Sequence, residues 1–236
     1  MTSVITSSVF DALSMFASQK TLSISVSPLG LKIGTFDLFL YISSKLFTEF
    51  HLENRIVQIS SKSFVDIIPL FKDTIEIGFT ESHMIISDEN ALVKIPFLLF
   101  QGRDFLDQWD PSQIILNTII QPASLLNSIF LVPISDGIVE FQIGTSLQFQ
   151  IISILGAKIT SSLSNLEKFR FQYPKNSLTL RYLYKKFIQL KGILKKASKI
   201  TLKMNEDGVL QWQMLIPVEE QNIYAEYFIE PLVLEE

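Results

Sequence analysis

The chain has 236 residues, of which 47% are hydrophobic and only 19% are charged, and its formal net charge is −4. This apolar content excludes an intrinsically disordered chain, and the low charged fraction indicates that some apolar surface meets a partner. Because there is no cysteine, disulfides, thiolate metal sites and a cysteine nucleophile are excluded.

The first half of the chain alternates helical and strand-like patterns. It does not open with a basic segment followed by an apolar run, so we expect no secretory signal. Apolar residues at helical spacing predict one helix over about residues 8–19 and a second over about 62–71. Pro69 lies inside the second pattern, and we expect it to shorten or kink that helix. Period-two patterns predict strands between the helices and again over about 75–99.

A polar, acidic segment ending in Pro111 interrupts the pattern near the middle of the chain. It contains Gly102 and three aspartates, as expected of a connection between domains. We therefore predict an N-terminal domain over 1–103, a linker over 104–112 and a C-terminal domain over 113–236.

The segment 112–135 is uncharged and long enough to be tested as a membrane span. It contains Gln121, Pro122 and Pro133, however, and no basic cluster flanks it. We predict a strand, a turn at Gln121-Pro122 and a short buried helix over about 122–130, with a membrane span as the alternative.

The second half repeats the order of the first. Strands are predicted over 138–143, 147–155 and about 163–173, followed by a long helix over about 179–196 and three strands over 200–204, 210–216 and 224–229. Two halves with the same order of elements indicate an internal duplication.

The charge is distributed unevenly along this second half. Eleven of the twenty basic residues lie between Leu166 and Met204, against a single acid, Glu167. Beyond Met204 the sign reverses, with eight acids and no Lys or Arg. Like charges crowded together without acids favour contact with a polyanion, in the form of phosphate contacts without sequence readout. A merely solvated helix face is the alternative.

The sequence contains no recognisable motif for catalysis or metal binding. The two histidines, His51 and His83, are far apart and lack ligand spacing, and no phosphate-binding glycine motif or nucleophile motif is present. Asp104, Asp107 and Asp110 are close together but lie in the predicted linker. We expect no cofactor and no enzymatic activity, with a two-metal nuclease as the alternative.

The C-terminal third carries a resemblance to a known family. Leu180-Arg181-Tyr182-Leu183-Tyr184-Lys185-Lys186-Phe187 is followed by Lys199–Met204, a turn at Asn205-Glu206-Asp207-Gly208, a strand pattern over 209–216, and Tyr224-Ala225-Glu226-Tyr227-Phe228-Ile229-Glu230-Pro231. With the repeated element order, these segments resemble the sliding-clamp superfamily, whose best-known member is proliferating cell nuclear antigen (PCNA). The resemblance implies an α+β clamp subunit of two similar halves, with helices lining the inner face and antiparallel sheets outside.

Within that superfamily the chain is most similar to the Rad-one type of subunit of the heterotrimeric nine-one-one checkpoint clamp. The segment Gly34–Leu40 lacks the Asp-Ser-x-His-Val pattern of replicative PCNA, which favours a checkpoint or otherwise divergent clamp. The resemblance implies a nuclear, non-enzymatic subunit that encircles duplex DNA with two other clamp subunits, is loaded by a clamp loader and signals DNA damage. A replicative clamp and a non-clamp α+β module that binds protein or lipid are the alternatives.

The resemblance also assigns candidate site residues. A stripe of Arg181, Lys185 and Lys196 on the long helix is expected to face DNA, and the remaining DNA-facing candidates are Lys186, Lys191, Lys195, Lys20, Lys62 and Lys72. Edge strands over about 92–98 and 147–155 are expected to pair with neighbouring subunits, although the second also fits an ordinary central strand. The interface candidates are Leu92, Val93, Ile95, Phe97, Leu147, Phe149, Ile151 and Ile152.

Overall fold

The computed structural model describes residues 2–71, 73–99, 113–130, 136–163, 166–218 and 221–232. The chain divides into two compact units. The first unit comprises Met1–Asp107 and Pro217–Ala225, and the second comprises Gln108–Ile216 and Glu226–Glu236. The predicted linker over 104–112 lies outside the described residues.

The first half of the chain supplies the strands β1 to β9 and one short α-helix. The strands are β1 (Thr2–Thr6), β2 (Thr21–Ser27), β3 (Gly30–Gly34), β4 (Leu38–Ser43), β5 (Phe47–Glu49), β6 (Arg55–Ser60), β7 (Thr74–Phe79), β8 (His83–Ser87) and β9 (Leu92–Pro96). The helical segments are a 3₁₀ helix over Ser7–Phe16, a 3₁₀ turn over Ser44–Leu46, α1 (Ser61–Ile67) and a 3₁₀ turn over Ile68–Leu70.

The second half supplies β10 to β18 and two α-helices. The strands are β10 (Ile114–Ile120), β11 (Gly137–Ile143), β12 (Leu147–Ser153), β13 (Lys158–Leu163), β14 (Glu167–Phe171), β15 (Leu178–Leu183), β16 (Lys199–Asn205), β17 (Leu210–Val218) and β18 (Gln221–Ile229). The helices are α2 (Pro122–Ile129) and α3 (Tyr184–Leu194).

The strands of the two halves pair in the same order. In the first half the orders are β5-β1-β7-β8-β9 and β4-β3-β2-β6, and in the second they are β14-β10-β16-β17-β18 and β13-β12-β11-β15. Adding nine to each strand number of the first half gives the order of the second, and strands pair antiparallel in both halves. The expected architecture of two similar halves is therefore confirmed.

The helix boundaries follow from local chemistry. The Ser60 side chain accepts a hydrogen bond from the backbone N–H of Ser63, 3.3 Å away, and so caps the start of α1. α1 ends at Ile67 and continues as a 3₁₀ turn that contains Pro69, so the predicted shortening is confirmed. Pro122 occupies the first position of α2, where its missing N–H costs nothing. No helix among the described residues is long and apolar enough to cross a membrane.

The core of the second unit is built around Phe187 of α3. The Phe187 ring makes edge-to-face contacts with Tyr182, Phe149 and Trp212, at centroid distances of 6.1, 6.4 and 6.0 Å. These partners lie on β15, β12 and β17, so one ring joins both sheets of the unit, and all four aromatic side chains are fully buried. The cluster fixes the position of α3.

Candidate nucleic-acid interface

The helix that carries most of the predicted DNA-facing residues begins later than expected. Residues 178–183 form β15, which pairs with β11, and α3 starts only at Tyr184. The predicted long helix over 179–196 is therefore wrong over residues 179–183, and α3 ends at Leu194. The strand continues because Tyr182 is fully buried and its hydroxyl donates to the backbone oxygen of Gly208, 2.6 Å away.

Arg181 consequently lies on a strand and does not belong to a helical stripe with Lys185 and Lys196. It faces Glu140 of β11 across the sheet, and its Nε lies 3.0 Å from a Glu140 carboxylate oxygen. The Gln142 amide, 2.9 Å away, and the Arg181 guanidinium hold the pKa of Glu140 below its ordinary value. Arg181 therefore forms an ion pair within its own sheet. The expected stripe loses Arg181 and keeps Lys185 and Lys196.

α3 has one apolar side and one lysine side. Its buried residues are Tyr184, Phe187, Leu190, Ile193 and Leu194. Between Tyr184 and Lys196 the sequence contains five lysines and no acid. Four of these lysines are exposed and Lys186 is half-buried. We call this set, Lys185, Lys186, Lys191, Lys195 and Lys196, the α3 lysine face.

The electrostatics of the α3 lysine face are unusual for a solvated helix. Lys185 and Lys186 lie in the first turn, where the helix dipole is positive and where acids are normally preferred. No acid occupies that turn and no side chain caps the N-terminus. Cations at this end raise the free energy of the isolated helix, and a bound anion would lower it.

Side-chain contacts hold α3 in place from below and from one flank. The Tyr227 hydroxyl donates to Gln189 Oε1 at 2.7 Å, and the Tyr184 hydroxyl donates to the Ile129 backbone oxygen at 3.1 Å. The ammonium group of Lys191 lies 5.7 Å from the centre of the Phe130 ring. Lys191 therefore points toward the end of α2, so Lys185, Lys195 and Lys196 are the more outward members of the face.

The helices of the first unit supply fewer cations. Lys20 follows the first 3₁₀ helix and is exposed. Lys62 is exposed on α1, but the exposed Asp66 lies one turn away on the same helix. Lys72 lies outside the described residues. A one-sided cationic surface is therefore found on α3 and not on α1.

Three further basic residues of the charged segment lie on the other face of the sheet that supports α3. Leu202 pairs with Trp212 on the side facing α3, so the alternating Lys199 and Lys203 point away from it. Arg170 pairs with Asn117, which in turn pairs with Lys203. The single basic run of the sequence is thus divided between two opposite faces. The period-two alternation over 199–204 was the signal that could have predicted this division.

The predicted second edge strand is wrong. β12 pairs with β11 on one side and β13 on the other, so it is a central strand. Leu147, Phe149 and Ile151 are buried and cannot contact another subunit, and Ile152 is half-buried. Among the described residues, this sheet ends at β15 on one side and at β13, which pairs with β12, on the other. The polar sequence of β13, KITSSL, does not show the apolar pattern of a strand, because an edge strand needs little apolar surface.

The first predicted edge strand is at the edge of its sheet. β9 pairs with β8 and is the last strand in its order. Leu92 is 61% exposed, whereas Ile95 is 1% exposed and belongs to the core, so Ile95 is removed from the contact residues. Val93 and Phe97 are half-buried, and the Phe97 ring packs at 6.4 Å from the Phe79 ring.

Groups that could hold a metal are absent from the part of the chain that the structure describes. No cluster of three or more His, Asp or Glu side chains occurs there. His51 lies 3.8 Å from Glu49, and the His83 ring contacts the Ser82 hydroxyl at 2.7 Å. Each histidine therefore has an ordinary surface partner.

Comparison with known proteins gives the fold. No family model and no curated protein sequence matches the chain. Solved structures do: a PCNA2–PCNA3 complex from Sulfolobus tokodaii (TM-score 0.76, 14% identity), PCNA from Thermococcus kodakaraensis (0.75, 13%) and proliferating cellular nuclear antigen from Entamoeba histolytica (0.76, 12%). Each match covers 98% of this chain and 98–99% of the other. The chain therefore has the PCNA-like sliding-clamp fold over nearly its whole length.

Proposed function

We propose that this chain is a non-enzymatic subunit of a ring-shaped clamp that encircles duplex DNA, with the α3 lysine face turned toward the phosphates. The observation that carries the proposal is the coincidence of a full-length clamp fold with the α3 lysine face, which has three lysines on the helix, two directly after it and no acid. In a ring of this fold that encircles DNA, the cationic α3 lysine face would contact the phosphates of the duplex.

The chemistry of the α3 lysine face suits a sliding contact. Lysine is a flexible point charge that binds a phosphate without the planar, bidentate geometry of arginine. Such contacts fix no base sequence, so no position along the duplex is preferred. The affinity should fall steeply with salt because each contact releases condensed counterions.

Ring closure requires two open strand edges, and β9 and β13 supply them. β4 lies next to β18 in its sheet, and the segment Gln221–Ala225 of β18 belongs to the first unit. By the repeat of nine, β13 corresponds to β4 and β9 to β18. A neighbouring subunit's β9 placed beside β13 would repeat this arrangement and remove both open edges.

The finer proposal is a checkpoint clamp made of three unlike subunits. The C-terminal segments similar to the Rad-one type support it, as does the chemistry of the two edges. Lys94 on β9 and Lys158 on β13 are exposed, and neither strand carries an acid. Two copies of this chain would therefore join edges of like charge, whereas an unlike neighbour can supply acids. A clamp loader that opens the ring and a nuclear location follow from this role.

A replicative clamp is the second candidate, because the three similar structures are PCNA proteins. The two roles differ in the composition of the ring. Three identical chains would favour the replicative role, and three different chains would favour the checkpoint role.

The DNA contact is tested by reversing the charge of three exposed lysines of the α3 lysine face, with Lys185→Glu, Lys195→Glu and Lys196→Glu combined. We expect the assembled ring to bind a long duplex at least about tenfold more weakly. The slope of log affinity against log salt should also fall, by about 0.9 for each lost phosphate contact. Fluorescence anisotropy over a salt series measures both quantities.

The matched control is Lys45→Glu, Lys175→Glu and Lys199→Glu, which changes three exposed lysines away from α3 by the same total charge. It should change the affinity much less. Equal losses in both triple variants would mean that only net charge matters, and an intact affinity in the α3 variant would remove the proposed DNA-facing surface.

A further inference from the structure

A glycine lies in the middle of the α3 lysine face. Gly192 is exposed, and its φ does not lie in the left-handed region, so its backbone is that of an ordinary helical residue. A Cβ built on it would meet no atom within 4 Å. Neither the backbone conformation nor the packing of this chain therefore requires glycine at this position.

Glycine is an unfavourable choice in such a place. Relative to alanine, an exposed glycine within a helix lowers the folding equilibrium constant by roughly fivefold, because the unfolded chain gains conformational freedom. The glycines that this fold does require look different. At Gly30 and Gly137 φ is +134° and +151°, and a Cβ would approach backbone oxygens closely. Gly192 lowers the stability of the helix although neither a positive φ nor a close backbone contact requires glycine there.

The position of Gly192 relative to the lysines gives the missing side chain a role. Lys185 precedes it by seven residues, which at about 100° per residue brings the two to within about 20° around the helix axis. With a rise of about 1.5 Å per residue, Gly192 lies about 10 Å along the axis from Lys185, and Lys195 begins about 5 Å further on. Gly192 is thus a gap in a ridge of cations.

We propose that Gly192 is a positioning residue, whose missing side chain lets a DNA phosphodiester backbone approach α3 closely between Lys185 on one side and Lys195 and Lys196 on the other. This inference rests on the proposed DNA contact of the α3 lysine face. Glycine is the residue that allows another chain to approach a backbone most closely. A larger side chain would hold the phosphates away from the lysines and weaken the attraction, which falls with distance.

The test uses Gly192→Ala and Gly192→Leu in the assembled ring. Alanine should raise the melting temperature of the subunit, because it favours the helix, and should weaken binding to a long duplex by about threefold. Leucine should weaken binding by about tenfold or more. The salt slope should fall in Gly192→Leu, because phosphates held away from the lysines release fewer counterions on binding. Gly144→Ala is the control, since it makes the same change in an unstrained loop where a Cβ has only ordinary contacts.

Two results would overturn the inference, and they differ in what they leave standing. If Gly192→Ala and Gly192→Leu bind DNA as the parent does while the triple lysine variant loses binding, the glycine has no positioning role and the DNA-facing surface stands. If the triple lysine variant also binds normally, the proposed function fails together with the inference. A melting temperature lowered by Gly192→Ala would show a packing role for the glycine and would likewise contradict the inference.

Discussion

Tyr182 connects the end of β15 to the turn between β16 and β17. Its hydroxyl is buried and donates to the carbonyl oxygen of Gly208, in the turn between β16 and β17. Gly208 has a φ of +79°, and a Cβ there would lie 2.6 Å from a methyl group of Leu180. The Asp-Gly turn that the sequence predicts is thus held by the hydrogen bond between Tyr182 and Gly208, which are 26 residues apart.

The substitution Tyr182→Phe should remove this contact and leave the Gly208 oxygen without its donor. We expect a loss of about 1–2 kcal/mol in the free energy of unfolding, with DNA binding by the assembled ring unchanged. Chemical denaturation at neutral pH measures the loss. An unchanged stability would contradict the structural role given to the hydroxyl.

The pH dependence gives a second readout of the same substitution. Burial raises the pKa of Tyr182 far above its ordinary value, so the folded state keeps the proton that the unfolded state releases near pH 10. The stabilisation is therefore complete below about pH 10 and declines as the pH rises further. The parent should lose stability more steeply in alkali than Tyr182→Phe, and parallel profiles would contradict this.

Local sequence could not supply the partners of such residues. Arg181 and Glu140 are 41 residues apart, and their pairing depends on the register of β11 with β15. Lys199 and Lys203 could be assigned to a face, because the alternation over 199–204 is visible in the sequence. Charge along the chain predicted a cationic surface, but only the sheet shows which lysines share a face.

At the scale of elements, the strand–helix boundary before α3 was ambiguous in the sequence. Leu180, Leu183 and Phe187 also fit a helical spacing, and only pairing with β11 makes the first part a strand. The short helix α2 and the break at Pro69 were predicted correctly, because proline acts through local geometry. β12 was wrongly placed at a sheet edge because the neighbours of a strand in its sheet are a tertiary property, and β13 was not predicted as a strand.

The turn between β12 and β13 presents two large aliphatic side chains to solvent. Ile154 is 74% exposed and Leu155 is 96% exposed, at a position where polar residues are usual. The turn is closed by Ser153, which accepts hydrogen bonds from the N–H groups of Gly156 and Ala157 at 2.9 and 3.0 Å. Because β13 follows directly, a neighbouring subunit that paired with β13, as we propose, would cover this apolar tip.

Ile154→Asp and Leu155→Asp should therefore weaken association with that neighbour by about tenfold. The contact would bury the apolar side chains, and each substitution replaces one of them with a charge that is costly to bury. The stability of the isolated subunit should not change, since neither side chain is packed. Leu29→Asp, at another exposed turn, is the control. Analytical ultracentrifugation of the mixed subunits measures the association, and equal assembly of all variants would exclude the tip from the interface.

At the scale of the whole molecule, the fold was the most predictable property. The repeated order of elements predicted a duplication, and the pairing orders related by the addition of nine confirm it. The distribution of charge was harder to predict, because the fold divides one basic run between α3 and the opposite sheet face. DNA bound at the α3 lysine face and DNA bound at the opposite sheet face would lie in different places, so the position of DNA distinguishes the two.

A cryo-electron microscopy map of the assembled ring on duplex DNA tests the account most directly. We predict a closed ring with β9 and β13 of this chain paired to different neighbours, and Lys185 and Lys196 of the α3 lysine face within reach of phosphates in the central hole. DNA lying against the sheet face that carries Arg170 and Lys203, or α3 on the outer rim, would contradict the account.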